Sequence, residues 1–230
     1  SRLRPDPRGV YEDVYTEDMI QSLGQESVNV IIDRHNRYHA HPRSFWVWHN
    51  DVTTILRGAF TWIGSSRLRE HRQSIVRMSK AVECYLEEKI GSRVNVCSIV
   101  KQRYIDVVRS RIAYRLLLAW LSPRRVLVVV SYGRPGLILA CKSLGIPVVE
   151  MQHGVMTPAH LGYSFGRTAT YPVTFPDMIL TFGMYWIDSN NLPLPRQNQY
   201  VLGWPHFIRV KRGLLGVEKQ QQLVFLSQGT

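Results

Sequence analysis

The fold of this chain is indicated by RVLVVVSYGRPGLILACKSLGIPVVEMQHG, residues 125–154. Within it, residues 126–130 are an unbroken apolar run rich in β-branched side chains, which is typical of a strand buried in a parallel sheet. A turn with glycine and proline follows, and residues 137–144 then have the pattern of a short helix closed by Gly145. Because residues 146–151 are a second apolar run, the stretch predicts a strand, a helix and a parallel strand.

Similar signals recur along the chain. Short apolar runs ended by polar residues or glycine predict five strands of one parallel sheet, at residues 28–32, 126–130, 147–151, 178–181 and 200–202. Apolar residues spaced by three and four predict two long helices, from about 65 to 89 and from 96 to 121, that cover one face of the sheet. We therefore expect an α/β fold with a Rossmann-like, doubly wound parallel sheet.

Composition shifts divide the chain into four parts. Residues 1–27 are predicted to be an N-terminal arm and helix, and residues 28–210 the Rossmann-like domain. The polar residues 211–222, which include two glycines, are the best candidate for a linker. Residues 223–230 have the pattern of a strand and its following turn. We therefore expect the chain to be part of a longer protein whose next domain begins there.

The charge balance of the chain is strongly basic. Lys and Arg number 29 against 17 Asp and Glu, which gives a net charge of +12. This balance favours an anionic partner, such as nucleic acid, an anionic membrane surface or a phosphorylated substrate, although it is also compatible with well-solvated basic helices. No recognition-helix pattern or RNP-like string supports nucleic acid. The aromatic-rich residues 42–64 could face a substrate or a membrane interface, but a small aromatic core is the simpler interpretation.

Cysteine and histidine spacing does not indicate a metal site. His35, His39 and His41 lie close together but lack an acidic or cysteine companion at fixed spacing. No apolar stretch approaches the roughly 20 residues that span a bilayer, so we expect a soluble, cytoplasmic protein. The cysteines are predicted to be buried thiols of a reducing compartment: Cys84, Cys97 and Cys141.

Polar side chains follow the predicted strands at the sheet edge where ligands bind in open α/β folds. His153 follows the strand at 147–151 and precedes Gly154, which allows close approach of a ligand. Since the ordinary pKa of histidine is near neutral pH, His153 is a candidate general base, and Glu150 could orient its ring or act as the base. The alternative is that His153 only hydrogen-bonds the backbone. The remaining candidates are predicted to bind substrate: Gln152, Gly154, Tyr132, His160, Tyr163, Tyr185, Trp186 and His206.

Four segments together resemble those of bacterial glycosyltransferases with the GT-B fold. They are EMQHG at 150–154, HLGY at 160–163, PDMILTFGMYW at 176–186 and LGWP at 202–205. The set is similar to enzymes that build capsule and other surface polysaccharides, including relatives of the Kdo, sialyl and glycerophosphate transferases. The resemblance covers residues 126–230 well and the first half of the chain only loosely.

This resemblance implies two Rossmann-like domains that face each other across a cleft. The chain would be the acceptor-side domain and would bind a glycan or a lipid-linked glycan at the inner face of a membrane. His153 would be the base or a phosphate or acceptor contact. A nucleotide sugar would be the donor substrate, held by a carboxyl-terminal domain that would start near residue 223, and no other cofactor is implied. Without that domain, the chain should be inactive.

Two other functional classes remain open from the sequence. The charge and the aromatic residues are compatible with a module that binds anionic membranes or nucleic acid. A sugar-nucleotide epimerase-like domain would have a similar two-domain fold. Sequence beyond residue 230 with a second strand–helix–strand set and charged donor contacts would favour the transferase over the binding module.

Overall fold

The computed structural model describes residues 3–5, 11–22, 30–33, 46–49, 58, 61–164 and 172–216. The strands and helices of these residues are, in chain order, β1 (Leu3–Pro5), β2 (Tyr11–Asp13), α1 (Glu17–Ser22), β3 (Val30–Asp33), β4 (Trp46–His49), α2 (Thr61–Ile90), α3 (Val96–Leu121), β5 (Val126–Val128), α4 (Pro135–Ser143), β6 (Val148–Met151), β7 (Met178–Thr181), α5 (Met184–Asp188), β8 (Gln199–Val201) and α6 (Pro205–Gly213). A single 3₁₀ turn, Arg196–Asn198, precedes β8.

The centre of the molecule is a four-stranded sheet in the order β5, β6, β7, β8, and each neighbouring pair of strands is parallel. Val126 lies opposite Val148, and Glu150 lies between Val128 and Ile179 in the ladder. The predicted α/β, Rossmann-like parallel sheet is therefore confirmed. Because all four strands run the same way, their carboxyl ends open at one edge.

The first predicted strand does not join this sheet. β3 pairs in parallel with β4, with Val30 opposite Trp46, in a separate two-stranded sheet. The prediction of one sheet that includes residues 28–32 was wrong on this point. Within residues 42–64, β4 forms a strand that the sequence analysis did not predict. The apolar run identified a strand correctly, but an apolar run does not specify which strand it will pair with.

Residues 1–27 contain a helix, α1, as predicted, but a β-ribbon takes the place of the predicted arm. β1 and β2 form an antiparallel ribbon in which Leu3 lies opposite Asp13, and helix follows only at α1. At the other end, α6 continues to Gly213 and so includes the first residues of the predicted linker. The remainder of that linker from residue 217, the predicted domain start at 223–230 and the histidines at 35, 39 and 41 lie outside the described residues.

The two long helices, α2 and α3, form a hairpin. α3 packs together with α4 on the sheet, whereas α2 lies on the outer side of α3. Gly91 has φ +67°, a left-handed conformation that glycine adopts without strain, and it ends α2. Asn95 caps α3 by accepting a hydrogen bond from the amide of Ser98 at 2.9 Å. The bounds of α3 agree with the prediction to the residue, whereas α2 begins earlier than predicted.

The main core lies between α3, α4 and one face of the sheet. Gly136 of α4 lies so close to α3 that a Cβ atom there would be 2.9 Å from the amide nitrogen of Arg111. This contact allows the two helices to approach closely. The buried residues of the core are Tyr114, Leu117, Leu118, Val128, Leu137, Ile138, Ala140, Cys141 and Val148.

The cysteines do not share one environment. Cys141 is buried in the core, and burial raises the pKa of its thiol to about 11. Cys97 is half-buried and Cys84 is exposed, so the prediction that all three thiols are buried was wrong for Cys84. None of the helices in the described part of the chain has the length and apolar character required to cross a bilayer.

Candidate functional site

The carboxyl ends of β5 and β6 gather the side chains of the candidate site. Ser131 and Tyr132 follow β5, Gln152 and His153 follow β6, and the loop after β6 returns Tyr163 to the same place. The sequence predicted Tyr132, Gln152 and His153 at one sheet edge because parallel strands end together. The structure adds which of them touch one another.

Glu150 is a completely buried carboxyl group within β6. Its Oε1 atom accepts a hydrogen bond from the amide of Ser131 at 3.1 Å and another from the hydroxyl of Tyr163 at 2.7 Å. Burial raises the pKa of Glu150 above its ordinary value, and the hydrogen bonds from Ser131 and Tyr163 offset only part of this effect. Glu150 has no surface with which to contact a substrate directly, so its effect on chemistry must pass through its partners.

Tyr163 connects Glu150 to His153. Its side chain is 1% exposed, and its hydroxyl oxygen lies 3.3 Å from His153 Nδ1 as well as 2.7 Å from Glu150 Oε1. Burial and the neighbouring carboxylate raise the pKa of Tyr163, so the phenol keeps its proton. Tyr163 was predicted to bind substrate, but in this structure it is buried and contacts the candidate base, His153, from the interior of the protein.

The histidine ring lies at the surface of this cluster. His153 is half-buried, and the ring of Tyr132, which is 49% exposed, is centred 6.0 Å from it. Tyr132 also lies 5.4 Å from the ring of His160. Gly162 packs against the Tyr132 ring, where a Cβ atom would be 2.5 Å from a ring carbon. Thus Tyr132, His153 and His160 form a surface of aromatic and imidazole rings beside the strand ends.

Gln152 is fully buried and joins two loops at the edge of the sheet. Its side-chain nitrogen donates to the carbonyl of Gly154 at 2.8 Å, and its side-chain oxygen accepts from the amide of Phe182 at 2.7 Å. Both ends of the amide are therefore used inside the protein. The predicted contact of Gln152 with substrate is not compatible with this placement, and its role here is to hold the backbone next to His153. No heavy atom lies within 4 Å of a Cβ built on Gly154, so space is open beside it.

The other predicted residues lie after β7 and β8. Tyr185 is 70% exposed on α5 and meets Trp186 edge to face at 5.3 Å, while Trp186 packs partly against a second buried cluster. His206 lies on α6, where its Nδ1 atom is 3.2 Å from the guanidinium of Arg209. These residues belong to the same sheet edge but not to the group of rings around His153.

The sequence analysis did not identify three residues of the site: Tyr15, Ser131 and Trp204. Tyr15 is 7% exposed, and its hydroxyl donates to the backbone carbonyl of His153 at 2.5 Å. Its ring stacks on Trp204, centred 6.3 Å away, and the Trp204 indole donates to the carbonyl of Val14 at 3.1 Å. Ser131, whose amide bonds to Glu150, is 1% exposed. No local pattern could have identified Tyr15, since it precedes its partner by 138 positions.

Among the described residues, we find no metal-binding group and no second site at the amino edge of the sheet. In the part of the chain that the structure describes, His, Cys, Asp and Glu side chains form no group of three or more that could hold a metal ion. A cavity of about 210 Å³ lies near the amino ends of the strands, with Lys142 and Asp177 in its lining. These two charged groups are 3.4 Å apart, and Asp177 also accepts from the amide of Val148, so both serve the fold.

The arrangement can move a proton at its surface. The imidazole of His153 is half-buried, and the buried phenol of Tyr163 links it to the carboxyl group of Glu150. Such an imidazole is a suitable general base or acid. The exposed ring of Tyr132 beside it could stack on an apolar ligand face. A scan against protein-family models, a search of curated proteins and a search of solved structures each found no match to this chain.

Proposed function

We propose that the chain is the acceptor-side domain of a glycosyltransferase that extends a surface polysaccharide or a lipid-linked glycan. The observation that carries this proposal is the half-buried imidazole of His153 at the carboxyl edge of a parallel sheet, next to open space at Gly154. The resemblance of the segments at 150–154, 160–163, 176–186 and 202–205 to GT-B enzymes supports the same reading.

The proposed reaction requires one proton transfer at this edge. A hydroxyl of the acceptor would bind beside His153, and the imidazole would take its proton as the hydroxyl oxygen bonds to the anomeric carbon of the donor sugar. The bond from that carbon to the donor phosphate would break, and the nucleotide would leave. Tyr132, half-exposed beside the imidazole, would stack on the acceptor ring.

The test is acceptor binding and sugar transfer. The chain is screened against an array of bacterial surface glycans, and the polypeptide that carries it is assayed for transfer from a set of nucleotide sugars. We expect glycan binding that Tyr132→Ala weakens, because the variant removes the exposed ring. Tyr200→Ala is a matched control, since Tyr200 is 47% exposed on the edge strand β8. Failure of the folded chain to bind any glycan, together with failure of transfer, would contradict the proposal.

A second candidate function, contact with an anionic membrane, is favoured by the surface of α6. Phe207, Ile208 and Val210 are exposed apolar residues of this helix, and basic residues occupy its last turn. Arg209 is anchored by Asp18 at 2.8 Å, which ties α6 to α1. A short helix with apolar and basic side chains suits a negatively charged bilayer surface. Such contact would bring the domain to a lipid-linked acceptor.

A further inference from the structure

We propose that two copies of this chain pair through α2, with their α2 helices antiparallel. The contact surface is a line of exposed apolar side chains on this helix, Met78, Val82 and Tyr85, which we call the α2 stripe. The proposal does not rest on the proposed function, because α2 lies apart from the carboxyl edge of the sheet that holds the candidate site.

The spacing of its residues places the α2 stripe on one face of the helix. Positions 78, 82 and 85 are separated by four and three residues, so their side chains lie one above the other. Met78 and Tyr85 are each 60% exposed and Val82 is 43% exposed, whereas Ile75 and Ser79 of the same helix are buried. A partner that covered this stripe would remove three large apolar side chains from water, which favours association.

The row of residues beside the stripe is complementary to itself. Arg77, Ala81, Cys84 and Glu88 are exposed and are spaced by four, three and four residues, with opposite charges at the two ends of the row. When two such rows run antiparallel, Arg77 of each copy lies opposite Glu88 of the other, and the small Ala81 lies opposite Cys84. A parallel pairing would place like charges together. The row therefore favours an antiparallel, two-fold symmetric contact.

The local charge of α2 favours a second copy over an anionic partner. Residues 74–90 carry three basic and three acidic side chains, so this segment is neutral in a chain whose net charge is +12. Two copies can therefore approach at this segment without the repulsion that their overall charges would otherwise cause. A membrane or nucleic acid of negative charge would instead meet three carboxylates at this end of α2: Glu83, Glu87 and Glu88.

Of these three carboxylates, Glu88 is the one placed to pair across the contact. Glu83 accepts a hydrogen bond from the amide of Cys97 at 3.0 Å, and Glu87 pairs with Arg93 at 2.7 Å, so both stabilise the hairpin of α2 and α3. Glu88 contacts the adjacent Lys89 at 2.7 Å, and both side chains are exposed. Since exposed ion pairs contribute little, Glu88 can exchange this contact for an arginine of the other copy.

The experiment measures the mass of the full chain in solution. Light scattering after size-exclusion chromatography and sedimentation velocity are recorded from about 1 to 100 µM, where contacts of modest area dissociate. A reductant is present so that the exposed Cys84 cannot form a disulfide. We expect the mass to rise reversibly to that of two chains. Tyr85→Ser should weaken association at least about tenfold, whereas Phe207→Ser, at a residue 54% exposed on α6, should not weaken it.

Charge reversal tests the antiparallel arrangement. Arg77→Glu and Glu88→Arg should each weaken association, because each variant places like charges opposite each other, and the double variant should restore it. Such rescue cannot arise within one helix, since eleven residues separate the two positions by about 16 Å. Lys80→Glu makes the same change of charge as Arg77→Glu but on the side of α2 opposite to the stripe, so it should leave association intact.

Three results would overturn the proposal. They are the mass of a single chain at every concentration, a dimer that folded Tyr85→Ser does not weaken, and a failure of the double charge reversal to restore association. Circular dichroism checks that each variant is folded. No sugar or vesicle takes part in these measurements, so the dimer can fail while the transferase function holds, and the reverse.

Discussion

At the scale of single residues, the side chain that chemistry would depend on most is His153. Its ring is half-buried at the strand end, and its Nδ1 atom lies 3.3 Å from the hydroxyl of Tyr163, which donates to Glu150. His160 meets Tyr163 through its backbone carbonyl, which accepts from the amide of Tyr163 at 2.9 Å. His160 uses its Nδ1 atom on the amide of Gly162, and His206 lies beside Arg209. The three histidines therefore have different roles to test.

We expect His153→Ala to lower the kcat of sugar transfer by about 10²–10⁴, the usual contribution of a general base. Affinity for the donor should change little, because the proposed base contacts the acceptor. His160→Ala and His206→Ala should cost less, and steady-state transfer by all three variants is the measurement. Circular dichroism checks that each variant is folded. Near-full turnover in folded His153→Ala would remove His153 as the base.

The buried position of Glu150 predicts how the free energy of unfolding depends on pH. Burial raises its folded-state pKa above the ordinary value of 4.5, so folding favours the protonated form. The stability contributed by this group is fully present below the unfolded pKa and is lost as pH rises through the folded pKa. Glu150→Gln cannot ionise and should therefore gain stability relative to wild type as the pH is raised.

The measurement is urea denaturation of both proteins from pH 4 to pH 8, from which the difference in unfolding free energy is taken at each pH. The exposed Glu88→Gln serves as a matched control and should stay within about 0.5 kcal/mol of wild type throughout. A difference that is constant or falls with pH would show that Glu150 is not destabilised in its ionised form.

At the scale of elements, Gly136 brings α4 into close contact with α3. Gly136→Ala would place a methyl group 2.9 Å from the amide nitrogen of Arg111, which belongs to backbone and cannot rotate away. We expect a loss of about 1–3 kcal/mol in unfolding free energy, as for other overpacked cores. Chemical denaturation of the variant and wild type measures this loss.

Gly133→Ala is the matched control for this prediction. Gly133 lies in the turn just before α4, and a Cβ atom there would meet no heavy atom within 4 Å. The unfolding free energy of Gly133→Ala should equal that of wild type or exceed it by up to about 1 kcal/mol, since alanine restricts the unfolded chain. Equal losses in the two variants would mean that helix contact is not the cause.

At the scale of the whole molecule, the net charge of +12 and the exposed surface of α6 predict attraction to anionic membranes. Binding to vesicles rich in phosphatidylserine should weaken as the salt concentration rises through about 0.15 M, because the Debye length there is only about 8 Å and attraction between more distant charges is screened. Lys211→Gln with Arg212→Gln should weaken binding by about 2 kcal/mol, at about 1 kcal/mol for each basic residue. Co-sedimentation at several salt concentrations measures both effects.

Two control measurements distinguish a specific contribution of α6 to vesicle binding from the effect of net charge. Arg103→Gln with Arg111→Gln removes two exposed charges from α3 and should weaken vesicle binding less than the α6 pair does. Neutral vesicles should bind weakly at every salt concentration. Equal losses in the two double variants would contradict a specific role for α6, and equal binding to neutral vesicles would exclude electrostatic attraction as the cause.

The sequence by itself determined the sheet-forming segments around residues 125–154, the bounds of α3 and the position of His153 at a strand end. These features follow from short-range rules. Apolar runs and helical spacing mark which local conformation buries apolar surface, and parallel strands share a carboxyl edge. For that reason the α/β fold and the place of the site could be predicted from local patterns.

Only the tertiary structure decided how the site is assembled. It placed Tyr163 between Glu150 and His153, brought Tyr15 to the carbonyl of His153, and buried Gln152 with both ends of its amide bonded to backbone. It also paired β3 with β4 instead of with the central sheet. These contacts join residues that are distant in sequence, and the side-chain period of a strand does not specify the path of a loop or the partner of a strand. Packing and hydrogen-bond satisfaction across the folded chain select them.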